Sequence, residues 1–320
     1  MNGRRVFVLG SGFSAAMGLP TLADLFKHVM SAKPQRESDD KNQVLNALES
    51  LYPHSKSGGA PTAYPPFEEF LSLVTAAKEF VHDDRDWGQV EISALRLLTD
   101  FLDVQSKSAL DSHSLDAFVD RLTPRDVIIT FNWDYLVERR LRDHREIESN
   151  LLARDGERIA ILKLHGSIGW CRIPQEEPVA PDTAVEIRDR VFRLPDHAYY
   201  DLWGLKNWPP LIVPPTQFKR PEVDSFLNPI WCEAFNALVE ADFICIIGYS
   251  LPPDDFQARA LFSSGLALRS KRQREQGRNP GKYLLIDPNP EVAKKYFSLI
   301  AENLDFRLAR FEDAVDSIFS

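Results

Sequence analysis

The chain has 320 residues, 44% hydrophobic and 27% charged, a composition that supports one sizeable core and lies well away from disordered or collagen-like classes. A formal net charge of -9 argues against a surface built to attract a phosphate backbone, so no direct nucleic-acid partner is expected. Three cysteines, Cys171, Cys232 and Cys245, contain no CxxC pair; they suit a reducing compartment and exclude a four-thiolate zinc site within one chain.

Met1 to Leu9 lacks the long apolar region of a signal peptide, and no run reaches the roughly 18 apolar residues of a membrane span. A cytoplasmic protein without membrane attachment is therefore expected. Arg5 to Leu9 reads as a short buried strand that stops at Gly10, followed by a helix starting near Ser14 or, after Gly18-Leu19-Pro20, capped by Thr21. From Lys33 to Thr123 the spacing turns helical. Val44, Leu45, Leu48 and Leu51 share one face, as do Phe67, Phe70, Leu71 and Val74, then Ile92, Leu95, Leu98 and Leu102. Ser57 to Pro61 and Tyr64-Pro65-Pro66 read as loop punctuation. Strand signals return at 126–130, 159–164, 211–213, 243–247 and 283–286, with helical segments between most of them. Arg269 to Arg278 reads as a solvated basic helix end.

Alternating short apolar strands and helices predict an α/β protein with a doubly wound, parallel, Rossmann-like sheet. The expected organisation is a core of 1–32 and 124–320, an α-helical insertion at 33–123, and an irregular, proline-rich segment at 170–225.

Five constellations fall at predicted strand ends, where ligands gather in open α/β sheets. Gly10-Ser11-Gly12-Phe13-Ser14 is either a phosphate-approaching turn or a plain tight turn; Ala15 stands where a third glycine would complete the dinucleotide fingerprint. Asn132 and Asp134 could point into one pocket, or form an Asx turn or helix cap. His165, in Leu164-His165-Gly166-Ser167, could be a general base or a structural histidine. Gly248-Tyr249-Ser250 and Asp287-Pro288-Asn289 could meet ribose hydroxyls or be ordinary loop chemistry.

In this order the five elements, with Gly18-Leu19-Pro20, resemble the sirtuin superfamily, and are most similar to its bacterial NAD-consuming branch found in antiphage defence. The matching residues span 6 to 290. Phe67-Glu68-Glu69-Phe70 and Pro214-Pro215-Thr216 are also similar to that branch, although Phe67 to Phe70 equally reads as an amphipathic helix start. Lysine deacylases of the superfamily carry Phe-Arg after the glycine-proline step and a four-cysteine zinc module after the histidine segment. This chain has Thr21-Leu22-Ala23 and the single Cys171 at those places, so neither a zinc module nor any other metal is expected.

The resemblance implies NAD as substrate. Gly10, Ser11, Gly12, Phe13 and Ser14 would hold the pyrophosphate, and Gly248, Ser250, Asp287 and Asn289 the adenosine half. Asp134 would face the nicotinamide carboxamide, with Asn132 and His165 flanking the nicotinamide ribose. It also implies hydrolysis to nicotinamide and ADP-ribose, and control of that toxic activity by a homo-oligomer or by an ATPase or other defence partner. Two alternatives are an NAD or ADP-ribose sensor without catalysis, and a lysine deacylase.

Overall fold

Five apolar runs and one mixed run pair side by side in the central sheet of the computed structural model, which describes residues 3–33, 39–53, 56–57, 60–61, 64–145, 159–172, 185–188, 191–193, 210–213, 221–278, 281–300 and 304–319. The strands of this sheet are β1 (Arg5–Leu9), β4 (Val127–Thr130), β5 (Ala160–Lys163), β10 (Phe243–Ile247), β11 (Lys282–Ile286) and β12 (Leu304–Arg307). Their order is β12-β11-β10-β1-β4-β5, every pairing parallel. From β1 the chain adds β4 and β5 on one side, then returns to add β10, β11 and β12 on the other. The topological switch point therefore lies between β1 and β10, where open α/β sheets leave a crevice.

Successive side chains of a strand point to opposite faces. Phe7, Leu9, Ile128, Ile161, Cys245, Ile247, Leu284 and Ile286 enter one apolar cluster, while Val6, Val8, Ile129, Leu162, Ile244, Ile246 and Leu285 enter another. The second face is covered by α8 (Pro221–Glu240), α9 (Phe256–Glu275) and α10 (Pro290–Phe297). The first is covered by α1 (Ser11–Ala15), α2 (Leu22–Ser31), α3 (Asp40–Leu51), α4 (Phe67–Phe80), α5 (Trp87–Ala109), α6 (His113–Val119), α7 (Leu136–Arg145) and α11 (Phe311–Ala314). The helices of 33–123 thus share the main core. Phe118 of α6 meets Phe7 edge-on, with ring centroids 5.3 Å apart, and burying such a ring contributes about 1.5–3 kcal/mol.

Helix faces follow the predicted spacing with one rotation. Phe67, Phe70, Leu71 and Val74 are all buried. On α5 the buried stripe is Val90, Ala94, Leu97, Leu98, Phe101 and Leu102, whereas Ile92 and Leu95 are half-buried. The Asp86 carboxylate starts that helix by accepting from the Gln89 amide at 3.0 Å. Within 57–61, read as loop, β2 (Lys56–Ser57) and β3 (Ala60–Pro61) form a small antiparallel pair.

The run at Leu211 departs from expectation. As β9 (Pro210–Ile212) it joins a separate four-stranded antiparallel sheet, order β7-β8-β6-β9, with β6 (Gly166–Arg172), β7 (Val185–Arg188) and β8 (Val191–Arg193). The cause lies at Gly166, whose φ of +76° turns the chain out of the parallel sheet immediately after β5. A Cβ there would stand 2.0 Å from the Leu211 carbonyl oxygen, so the β6–β9 contact requires glycine. The four strands of this sheet lie at or within 166–212, largely inside the span read as irregular; Tyr199, Tyr200, Trp203, Trp208, Pro214, Pro215 and Thr216 lie outside the described residues. Among the described residues, no helix is long and apolar enough to cross a membrane.

Candidate active site

The C-terminal ends of β1, β4, β5 and β10 open into a cleft of about 680 Å³. It is lined by Ser11, Ser14, Asn132, Asp134, His165 and Ser250 of the residues singled out from sequence, together with Glu68, Phe131, Tyr249 and Asp255. Gly10, Gly12, Phe13, Gly248, Asp287 and Asn289 do not line it.

The glycines are explained by loop against loop. The Gly10 amide donates to the Ile247 carbonyl at 3.0 Å, and the Gly12 amide donates to the Gly248 carbonyl at 2.9 Å. A Cβ on Gly12 would lie 2.7 Å from the Gly248 Cα, and one on Gly248 would lie 2.4 Å from the Gly12 Cα. The turns after β1 and β10 therefore interlock across the switch point, and these two amides are already spent on backbone carbonyls. Phe13 points into the core, where its ring lies 4.6 Å from that of Phe311.

Asn132, Ser14 and Asp134 form one directed chain. The Asn132 Nδ2 donates to the Gly10 carbonyl at 2.8 Å and to Ser14 Oγ at 2.9 Å, and Ser14 Oγ donates to Asp134 Oδ2 at 2.7 Å. A carbonyl can only accept, so the Gly10 contact fixes the amide orientation and leaves Asn132 Oδ1 as the acceptor end of the side chain. Asp134 also begins α7, its Oδ1 accepting from the Leu136 amide at 3.2 Å. The cap reading and the pocket reading of this residue thus coexist. Burial pushes the Asp134 carboxyl above its ordinary value, against the opposing pull of the Lys163 ammonium and the Ser14 hydroxyl. Lys163, at the end of β5 and fully buried, donates to the Asp134 carbonyl and lies 2.7 Å from Glu138 Oε1.

His165 is pinned from both sides. Its carbonyl accepts from the Val213 amide at 2.9 Å, and the neighbouring Leu164 carbonyl accepts from Trp231 Nε1 at 3.2 Å. The ring stands edge-on to Phe131, which stacks in parallel on Tyr249 with centroids 3.9 Å apart. His165 Nε2 lies 3.2 Å from Asp255 Oδ2, so the ring and the carboxylate face each other. Burial opposes the charge on Asp255. The His165 ring, the Tyr249 hydroxyl donating at 2.8 Å and the Ala258 amide at 3.1 Å outweigh it and hold the carboxyl below its usual value.

Sequence reasoning missed Asp255. Pro252-Pro253-Asp254-Asp255 reads as a loop running into a helix cap, and Asp255 does cap α9; nothing local announces that its other oxygen faces His165. The loop that carries it is strained at Leu251, whose φ of +49° makes it the one described non-glycine residue with positive φ. Lys295 holds the turn by donating to the Ser250 carbonyl at 2.9 Å, and the Tyr296 hydroxyl donates to the Tyr249 carbonyl at 2.9 Å.

At the last predicted site, Asp287 accepts from the Asn289 amide at 2.8 Å and Asn289 caps α10 by accepting from the Glu291 amide at 3.0 Å. Both side chains thus serve the local turn, outside the cleft lining. Burial raises the Asp287 carboxyl. Cys171 and Cys245 are buried and Cys232 is exposed; burial pushes the Cys171 thiol up to about 12, where it is no nucleophile at neutral pH. Among the described residues, no group of three or more His, Cys, Asp and Glu side chains is placed to hold a metal ion.

No protein-family model matches the chain, and no curated protein matches it. Several solved structures are similar to it. A mutant Sir2 homologue in complex with ADP-ribose has a TM-score of 0.45 and 16% identity, covering 99% of this chain and 91% of that one. A structure concerning the mechanism and regulation of Sir2 enzymes has a TM-score of 0.45 and 14% identity, covering 98% and 90%. Sir2Tm bound to a propionylated peptide has a TM-score of 0.40 and 14% identity, covering 98% and 91%. The sheet order described above, and not these likenesses, establishes the α/β fold.

Proposed function

We infer that the protein is an NAD glycohydrolase, cleaving NAD+ to nicotinamide and ADP-ribose in the cleft at the switch point. The observation that carries this reading is the convergence of Asn132, Asp134 and His165, from two different strand ends, on one cleft. These are the residues whose order along the chain resembles the NAD-consuming sirtuin branch.

The chemistry asks for little that the cleft lacks. The bond to nicotinamide joins a sugar to a cationic leaving group, so departure needs no acid, and the transition state is oxocarbenium-like. Such a site must position a nucleophile and favour positive charge. Asn132 Oδ1, held by the Ser14 and Gly10 contacts, accepts from the attacking water, and His165 accepts from the ribose hydroxyls or the water. Asp134 sits behind them. Asp255 is a positioning residue for His165. Asp255→Asn should lower kcat for NAD+ about 10-fold with little change in KM, while Asp255→Glu restores part of the rate; equal loss in both variants would show that the carboxylate has no such role.

The resemblance adds that hydrolysis serves antiphage defence by NAD depletion in the cytoplasm, and the free chain stays weak until it assembles with further copies or a partner protein. The experiment is chromatography of purified protein with NAD+, dilute and concentrated. Nicotinamide and ADP-ribose in equal amounts are expected, rising faster than linearly with protein concentration. NAD+ bound but not cleaved at any concentration would replace hydrolysis by a sensing role.

A further inference from the structure

One carboxylate in the cleft has no part in the network above. Glu68 lies in the first turn of α4, on the helical span 33–123 and across the cleft from the strand ends, and its Oε1 is sealed from solvent with no hydrogen-bond partner among the described residues. Buried carboxylate oxygens are mostly paired, because an unpaired one forfeits its hydration without return; Glu312 Oε2 is another exception, and it lies outside the cleft lining. Among the described residues, the lining carries three carboxylates, Glu68, Asp134 and Asp255, and neither lysine nor arginine. The nearby Lys163 is already committed to Glu138 and to the Asp134 carbonyl.

An unpaired carboxylate of this kind attracts a cation. We propose that Glu68 is a substrate-contacting residue that reads the positive charge of the oxidised nicotinamide ring, so that the cleft takes NAD+, whose ring is cationic, in preference to NADH, whose ring is neutral. This rests on the NAD+ reading above. It deepens that reading by naming the group that distinguishes NAD+ from both NADH and ADP-ribose, which share every other part of the molecule or lack only this ring and its charge. The apolar residues that line the cleft with Glu68, Leu19, Leu22, Leu25 and Leu102, supply low-dielectric surroundings in which one charge pair counts for more than in water. Burial pushes the Glu68 carboxyl up to about 7, a backbone hydrogen bond opposing it and the like charge of Asp254 adding to it.

The test is calorimetric binding of NAD+, NADH and ADP-ribose to the full chain, in a His165→Ala background that prevents turnover. Adding Glu68→Gln, which keeps the shape and removes the charge, should weaken NAD+ about 10-fold and leave NADH and ADP-ribose within about twofold. Glu68→Asp should recover part of the NAD+ affinity. Unchanged NAD+ affinity in Glu68→Gln overturns the proposal while the NAD+ reading stands. Equal weakening of all three ligands also overturns it, since that marks a residue that only shapes the cleft. If the parent background binds none of the three, the NAD+ reading falls and this inference with it.

Discussion

Replacing His165 by alanine, or Asn132 by alanine, is expected to lower the rate of NAD+ cleavage by about 100-fold or more, the scale of a positioned acid/base or electrostatic group. The geometry gives the two losses different signatures. Asn132 is held by the Gly10 carbonyl and by Ser14, which passes the constraint on to Asp134. Its removal leaves Ser14 tied to Asp134 alone and loosens the cleft floor, so KM should rise while kcat falls. His165 is held through its backbone and flanking rings, with its imidazole facing Asp255. Its removal takes a group from the reacting end without untying the floor, so kcat should fall with KM nearly unchanged. Steady-state kinetics on both variants, with circular dichroism to confirm folding, separates the two. Full turnover in either variant would remove that residue from the chemistry.

Much of this site was legible because its residues sit at the ends of uninterrupted apolar runs. Val6 to Leu9, Val127 to Ile129 and Phe243 to Ile247 admit no other reading than buried strands, so the residues that follow them had to share one edge of a parallel sheet. β12 was not legible. Leu-Asp-Phe-Arg alternates because it is an edge strand, half exposed, and four alternating residues carry too little signal. The glycine turn reads as a phosphate-approaching turn or a plain tight turn; what the sequence does not announce is its packing on a second loop some 236 residues away, Gly12 against Gly248. Asp255 escaped because it has a sufficient local role as a helix cap, and only the tertiary approach of α9 to the strand ends gives it a second one. Glu68 lies in a stretch that the sequence does single out, Phe67 to Phe70, which equally suits an amphipathic helix start.

Lys163→Met is expected to destabilise the fold by about 3–5 kcal/mol, the cost of breaking a buried ion pair by removing one member. Lys163 is 1% exposed, yet its ammonium meets Glu138 and the Asp134 carbonyl, beside the raised Asp134 carboxyl. Methionine fills the same volume and supplies no charge, so the loss reports electrostatics and not a cavity. The effect should depend on pH. A carboxyl whose value is raised on folding is protonated more readily in the native state, so native stability falls as pH rises from its unfolded value through its folded one. Lys163 works against that rise at Asp134, and without it the penalty deepens. Denaturant unfolding should therefore show a larger deficit for Lys163→Met at pH 8 than at pH 5, and Glu138→Gln added to it should recover part of the loss. A deficit equal at both pH values would mean that the ammonium acts by hydrogen bonding alone, leaving Asp134 charged at the cleft floor by the Ser14 and Leu136 contacts.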